Sequence, residues 1–188
     1  IHAKVGIKKD GTITALEGEW LVDTGAASEM AQVQIAVGCG EAQLALRCKN
    51  WNLQPKLVCT NRNPSGVVRG FGGQELKSSL LPLMAIAMEK ANLDPLEFFK
   101  KNYVKPGDGY FWRDGLWWNY RGVDFSKAMQ KGAEIFGWKD KWKGWGKPTA
   151  VNGSKRIGVG VGVHGNADIG EDESEAYVKI NPDGRAVL

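Results

Sequence analysis

The stretch that decides the reading is VVRGFGGQEL, Val67 to Leu76. An arginine and a phenylalanine stand among three glycines, Gly70, Gly72 and Gly73, and a helical pattern follows at once. Glycines remove side-chain bulk, so backbone N–H groups can face a ligand. A helix beginning near residue 73 adds the positive end of its dipole, worth about 0.3–1 kcal/mol to an anionic group. Arg69 adds a fixed cation with a fork of donors. Together these suit an anionic or oxygen-rich ligand. The plainer alternative is a glycine-rich turn that starts a helix, with Arg69 on the surface and Phe71 in the core.

Working outward, HAKVGIKKDGTITALEGEWLVDTG reads as a β-hairpin, because Asp10-Gly11 tolerates positive φ between alternating runs. Residues from about Ser28 to Arg47 favour helix, with a break expected at Gly38 and Gly40. WNLQPKLVCTN is a strand whose Pro55 places it at an edge or a bulge. After the loop, QELKSSLLPLMAIAMEKANL has an apolar face at helical spacing. Pro82 inside it predicts a kink, or a helix that begins close to it. In LDPLEFFKKNY, Asp94 caps, Pro95 takes the first helical position and Glu97 the first turn. Residues 105–122 are turn-rich and aromatic, and VDFSKAMQKGAEIFGW is an amphipathic helix capped by Asp124. Residues 139–154 read as a basic, Gly-rich linker; RIGVGVGVHG as a buried strand; SEAYVKINPDGRAVL as a second hairpin turning at Asp183-Gly184. Strands in hairpins around a helical middle block make the class α+β, with mixed and antiparallel sheets.

Lys and Arg number 25 against 21 Asp and Glu, a mild excess and not the footprint of a dedicated nucleic-acid binder. No apolar run reaches the length of a membrane span, and no basic-then-apolar start reads as a signal peptide. Cys39, Cys48 and Cys59 fit neither a C-x-x-C nor a paired zinc spacing. Their odd number points to reduced, structural thiols in a cytoplasmic protein. The chain starts in a strand and stops just after a hairpin signal, so a fragment of a longer protein is expected.

TNRNPSGVVRGFGGQE resembles the large, cofactor-binding subunit of the molybdenum hydroxylases, the xanthine dehydrogenase and aldehyde oxidase family. Thr60, Asn61, Pro64, Arg69, Gly70, Phe71, Gly72 and Gly73 fit that family's pattern. The hairpin before the loop, LDPLEFFKKNYVKPGD and FSKAMQKGAEIFGW after it, and KRIGVGVGVHG with AYVKINPDGRAVL at the end extend the likeness over most of the chain. The resemblance implies residues 1–138 as part of a first molybdopterin-binding half, 139–154 as the linker and 155–188 as the start of a second half. It implies a molybdopterin-type cofactor held partly by Val68, Arg69, Gly70, Gly72 and Gly73, with Phe71 against substrate. It implies an oxidoreductase that hydroxylates a heterocycle, aldehyde or related carbon with water, passing electrons to iron–sulfur and flavin (FAD) centres on partner domains or subunits. The catalytic glutamate and the opposing cofactor loops would lie outside this chain, which then carries no catalytic residue and no metal ligand.

Two departures bear on substrate. Purine-oxidising members carry an arginine upstream of the Thr-Asn pair, where a gapless count from Thr60 reaches Val37, and the next arginine is Arg47. Val67 and Val68 replace the family's commoner aromatic before the arginine. The resemblance brings His164 toward the substrate entrance, with a satisfied strand-end histidine as the alternative. Glu171, Asp172 and Glu173 read as a solvated acidic loop. Six of the eight tryptophans lie between Trp112 and Trp145, interleaved with Lys and Arg. They read as aromatic packing of a long connection. The rival is a non-catalytic domain gripping carbohydrate or nucleic acid with that region.

Overall fold

In the computed structural model, which describes residues 1–28, 30–111, 116–164 and 175–187, the Asp10-Gly11 turn joins β1 (His2–Ile7) antiparallel to β2 (Ile13–Gly25). Gly11 has φ +84°. Asp10 Oδ1 accepts the Thr12 N–H at 3.0 Å, and that bond, with Lys101 nearby, holds the Asp10 carboxyl down at about 2. β2 then crosses over through α1 (Ala31–Ala45) to β3 (Trp51–Cys59), which pairs parallel with it from Leu16↔Trp51 to Gly25↔Cys59. A parallel neighbour requires such a crossover. The sheet order β1-β2-β3 leaves Pro55 on an edge strand, where its missing N–H breaks no ladder.

α1 runs without a break through Gly38 and Gly40, contrary to the expectation from sequence. Two glycines inside a helix cost about 0.5–1 kcal/mol each relative to alanine. Burial along nearly the whole helix, including Ala31, Ile35, Val37, Ala42 and Leu44, offsets that cost. The small residues are needed: a Cβ at Gly38 would lie 2.8 Å from both the Gly72 carbonyl oxygen and the Trp20 ring.

α2 (Gly73–Lys90) lies across α1 and begins where the loop motif ends. It passes straight through Pro82, so a helix starting near that proline is excluded. Pro82 is exposed, as is Ser78, the residue whose carbonyl loses its usual donor. An interior proline costs about 3 kcal/mol. Leu76, Leu80, Met84 and Met88, spaced by four and all but inaccessible, outweigh it at about 1.5–3 kcal/mol each. They meet Leu16 and Trp20 of β2, Ile35 and Ala42 of α1, and Phe98 and Phe99 of α3 (Pro95–Asn102) in one core.

Asp94 caps α3 as expected, its Oδ1 accepting from the N–H groups of Leu96 (2.7 Å) and Glu97 (3.2 Å). Buried Asn102 closes the helix onto the first hairpin: it accepts from Ile13 N at 3.0 Å and donates to the Gly11 carbonyl at 2.8 Å. A short hairpin of β4 (Gly109–Phe111) and β5 (Trp117–Asn119) docks on α1 through the Gln43 amide, which both accepts from Phe111 N and donates to its carbonyl at 3.1 Å.

α4 (Ser126–Phe136) starts later than the sequence indicated. Phe125 is its N-cap, and Asp124 acts one position out, Oδ1 accepting from Ser126 N at 2.8 Å. None of its residues is buried, and Ile135 is 79% exposed. The stretch read as a linker, 139–154, holds most of α5 (Trp138–Lys141) and the strand β6 (Ala150–Asn152), which pairs with β7 (Lys155–Ile157) just beyond it. RIGVGVGVHG is not a buried strand among the described residues. β7 ends at Ile157, and residues 158–164 have no ladder partner; only Val159, Val161 and Val163 are half-buried. The terminal hairpin, β8 (Lys179–Ile180) with β9 (Ala186–Val187), turns at Asp183-Gly184 as expected, and both its strands are exposed. Among the described residues no helix is long and apolar enough to cross a membrane. All three cysteines are free, and burial pushes the Cys39 thiol up to about 11.

Candidate functional site

The loop is anchored before its glycines begin. At the end of β2, Asp23 Oδ1 accepts from Gly25 N at 2.9 Å and from Thr60 Oγ1 at 2.7 Å, while Arg62 lies 3.7 Å from Oδ2. The Gly25 N–H first, then the Thr60 hydroxyl and the Arg62 charge, hold the Asp23 carboxyl below its ordinary value. Thr60 N donates to the Gly25 carbonyl, Ala26 N to the Arg62 carbonyl, and Ser65 N to the Thr24 carbonyl. Gly25 sits at φ +67°, and a Cβ there would overlap the Asn63 carbonyl. Residues 60–65 thus wrap tightly round the β2 terminus, which explains the Thr60 position in backbone terms.

From Val68 the chain makes two overlapping turns: Phe71 N donates to the Val68 carbonyl at 2.9 Å and Gly73 N to the Gly70 carbonyl at 2.8 Å. The φ values are +104° at Gly70, +44° at Phe71 and +95° at Gly72. A phenylalanine in the left-handed region is uncommon, and such residues cluster at ligand clamps. Gly72 is the N-cap of α2 and supplies no side-chain acceptor. Leu76 N reaches the Gly72 carbonyl, but the N–H groups of Gln74 and Glu75 find no acceptor among the described residues. Arg69 is exposed and has no ion pair or hydrogen bond among them either. Val68 is exposed, and Phe71 is half-buried.

The glycines do more than clear space for a ligand. A Cβ at Gly72 would overlap the Gln34 carbonyl, and one at Gly73 would overlap the Glu41 carboxylate. α1 therefore presses against the loop at Gly72 and Gly73, while Arg69 and Gln74 are exposed. Gln34 Nε2 donates to Glu75 Oε1 at 3.0 Å, and Lys77 Nζ meets Glu41 Oε2 at 2.8 Å, both groups being 2% exposed. Glu75 Oε2 is buried without a hydrogen-bond partner among the described residues. An uncapped helix start beside an unpaired cation is a ready anion site, so the residues present fit a cofactor with phosphate or other anionic oxygens.

A sequence model of the molybdopterin cofactor-binding domain matches residues 1–103. The chain belongs to that family. It is 29% identical over 196 residues to the aldehyde oxidoreductase of Megalodesulfovibrio gigas, covering 98% of this chain and 20% of that protein. It is 26% identical to the putative xanthine dehydrogenase molybdenum-binding subunit XdhA of Escherichia coli K12, covering 98% of this chain and 24% of that protein. The crystal structure of the aldehyde oxidoreductase from Desulfovibrio gigas superposes with a TM-score of 0.61 at 27% identity, over 73% of this chain and 15% of that one. The fold also matches CO dehydrogenase from Oligotropha carboxidovorans, with a TM-score of 0.58 at 21% identity over 73% of this chain and 17% of that one. The chain thus spans between about a fifth and a quarter of these curated relatives.

The remaining candidates sort by position. Val37 is buried in α1, and Arg47, beyond the end of that helix, is committed to Asp108 at 2.7 Å. His164 is exposed and lines an apolar cavity of about 440 Å³ with Tyr103, Phe125, Met129, Phe136 and Val161, none of them from the loop. The Tyr103 hydroxyl donates to the His164 carbonyl at 3.2 Å. Glu171, Asp172, Glu173 and Trp112 lie outside the described residues. Trp142 stacks on buried Trp138 with centroids 5.3 Å apart, and Trp145 packs edge-on against Trp142. The Trp138 and Trp145 indoles donate to Asp94 Oδ2 (3.0 Å) and the Leu93 carbonyl (2.7 Å), fastening the stretch after α5 to α3. Trp117 and Trp118 are the exposed pair. Sequence reading missed Asp23, Gln34, Glu41 and Lys77. A charged residue on the apolar stripe of each crossing helix, Glu41 and Lys77, was the available signal.

Proposed function

We propose that the polypeptide carrying these residues is a molybdenum hydroxylase, a molybdenum-dependent oxidoreductase that hydroxylates a carbon of an aldehyde, heterocycle or related substrate with water. In it, this chain forms one wall of the cofactor and substrate site. One juxtaposition in a member of the molybdopterin-binding family supports the reading: Arg69, unpaired among the described residues, beside a start of α2 that has no side-chain cap. The bound cofactor would supply the two-electron redox and oxygen-transfer chemistry. Arg69 donates its planar fork to anionic oxygens, and the Gln74 and Glu75 N–H groups add backbone donors at the positive helix end. Phe71 offers a half-buried ring to a flat substrate, worth about 0.5–1.5 kcal/mol beyond burial. Its left-handed backbone, fixed by the turns on either side, holds that ring in place.

The assigned roles are orientation, not proton transfer; the general base belongs to another part of the polypeptide. Val37 leaves no cation at the position of the purine-steering arginine, so the substrate class narrows to aldehydes and non-purine rings. Electrons pass to iron–sulfur and flavin centres on partner domains or subunits. Residues 1–138 belong to a first cofactor-binding half and 155–188 open a second, joined by 139–154, in a cytoplasmic enzyme.

Replacing Phe71 with Leu in the complete polypeptide is expected to lower turnover of aromatic substrates while molybdenum content stays near the parental level. Arg69→Gln is expected to lower molybdenum and pterin content together. Parallel loss of folding and metal in Phe71→Leu would assign the ring to the core instead, and unchanged cofactor content in Arg69→Gln would remove the role given to that cation.

A further inference from the structure

We propose that the buried Glu41–Lys77 ion pair positions the Val68–Gly73 loop, fixing where α2 starts against α1 and hence where Arg69 and the N–H groups of Gln74 and Glu75 are presented. The purpose given to the loop rests on the cofactor reading above. On α1, Gln34, Gly38 and Glu41 fall at i, i+4 and i+7, one stripe, and that stripe is what the loop leans on. The Gln34 carbonyl backs Gly72, Gly38 backs the Gly72 carbonyl, and the Glu41 carboxylate backs Gly73. A Cβ at Gly73 would also lie 3.1 Å from Lys77 Nζ, so the pair sits directly beneath the first turn of α2.

The Gln34–Glu75 hydrogen bond is a second polar contact between the helices, and beside it Ile35 and Ala42 of α1 share one apolar core with Leu76 and Leu80 of α2. Apolar surfaces tolerate small slips, because any arrangement that excludes water satisfies them. Two opposite charges at 2.8 Å, each 2% exposed, do not, since a slip leaves both charges buried and apart. Such pairs add little net stability against apolar replacement, but they specify register. The glycine at 73 is the complement of the pair: it vacates the volume that the carboxylate fills.

The test is amide hydrogen exchange in the 188-residue chain, read at two groups of protons. The hydrogen-bonded amides of Phe71, Gly73 and Leu76 report the loop, and those of Leu80, Met84 and Met88 report the body of α2. With Glu41→Met and Lys77→Met together, the loop amides are expected to exchange about tenfold faster while the body of α2 keeps its parental rates. The swapped pair, Glu41→Lys with Lys77→Glu, is expected to restore loop protection.

Parental loop rates in the double methionine variant would overturn the proposal. So would loop and helix body accelerating together, which marks a purely structural role, or a swapped pair that restores nothing. If the methionine variant does not fold, Lys77→Arg, which keeps the charge but changes donor geometry, is read the same way: faster loop exchange alone supports the proposal, and unchanged rates overturn it. None of these readouts involves the cofactor, so a polypeptide lacking molybdenum would remove the functional reading and leave this result standing.

Discussion

Gly72 carries two constraints at once: a φ of +95° that L side chains rarely adopt, and a Cβ position already occupied by the Gln34 carbonyl. Gly72→Ala must shift backbone, and overpacking plus left-handed strain predict a loss of about 2–4 kcal/mol in chemical denaturation. Gly66, six residues earlier, has open space round its Cβ position and no positive φ. Gly66→Ala should stay within about 0.5 kcal/mol of the parent. Equal losses at the two sites would show that the glycines matter only for loop flexibility. The loop and the helix after it were legible in sequence because three glycines, Gly70, Gly72 and Gly73, stand just before an apolar pattern at helical spacing. That the same glycines also admit a second helix was not, because α1 lies some thirty residues upstream and its approach is a tertiary fact.

Asp23 makes a pH prediction of definite sign. Its carboxyl is held below the ordinary carboxylate range by the Gly25 N–H, the Thr60 hydroxyl and Arg62. A group whose pKa is lowered on folding contributes stability above its unfolded pKa and loses it as pH falls through the lower folded value. Residues 60–65 should therefore stay ordered through mild acid and loosen below the ordinary carboxylate range. Thr60 and Ser65 amide exchange, followed against pH, checks this. In Asp23→Asn the acid-dependent step at these amides should disappear; if it persists unchanged, another carboxylate anchors the loop.

At the scale of elements, α2 and its proline are the informative case. Apolar residues at helical spacing made the helix legible, and the same pattern explains why Pro82 fails to stop it: four buried side chains outweigh one missing hydrogen bond. Because Pro82 faces solvent, Pro82→Ala should restore a donor to the Ser78 carbonyl without disturbing the core. It is expected to raise stability by about 1–3 kcal/mol, measured by urea unfolding at constant m-value; a loss would show that the proline ring is held by packing. α1 and residues 158–164 were less legible. In α1, glycine propensity argued for a break that burial overrides. In 158–164, alternating Val and Gly reads as a strand, but a strand needs a neighbour, and none is present among the described residues. Local pattern gives the tendency; the partner decides the state.

For the whole molecule, the described residues leave apolar side chains uncovered at many points, among them Ile135 and Phe136 of α4, Trp117 and Trp118 of β5, and Tyr177, Val178 and Ile180 at the last hairpin. The core, by contrast, closes fully over β2, α1, α2 and α3, the same residues that the family model covers. This chain spans between about a fifth and a quarter of these curated relatives, and the proposed function gives it one wall of a site, since a ligand pocket buries most of its ligand between convergent groups. One arginine and one helix start contribute a few kcal/mol at most, and ordering a large cofactor costs several. The measurement that bears most directly on this is the molybdenum-to-protein ratio after gel filtration, taken on the polypeptide carrying these residues and on the 188-residue chain mixed with released cofactor. The account predicts near-stoichiometric molybdenum in the first and only a trace in the second. A polypeptide without molybdenum, or stoichiometric metal travelling with the isolated chain, would contradict it.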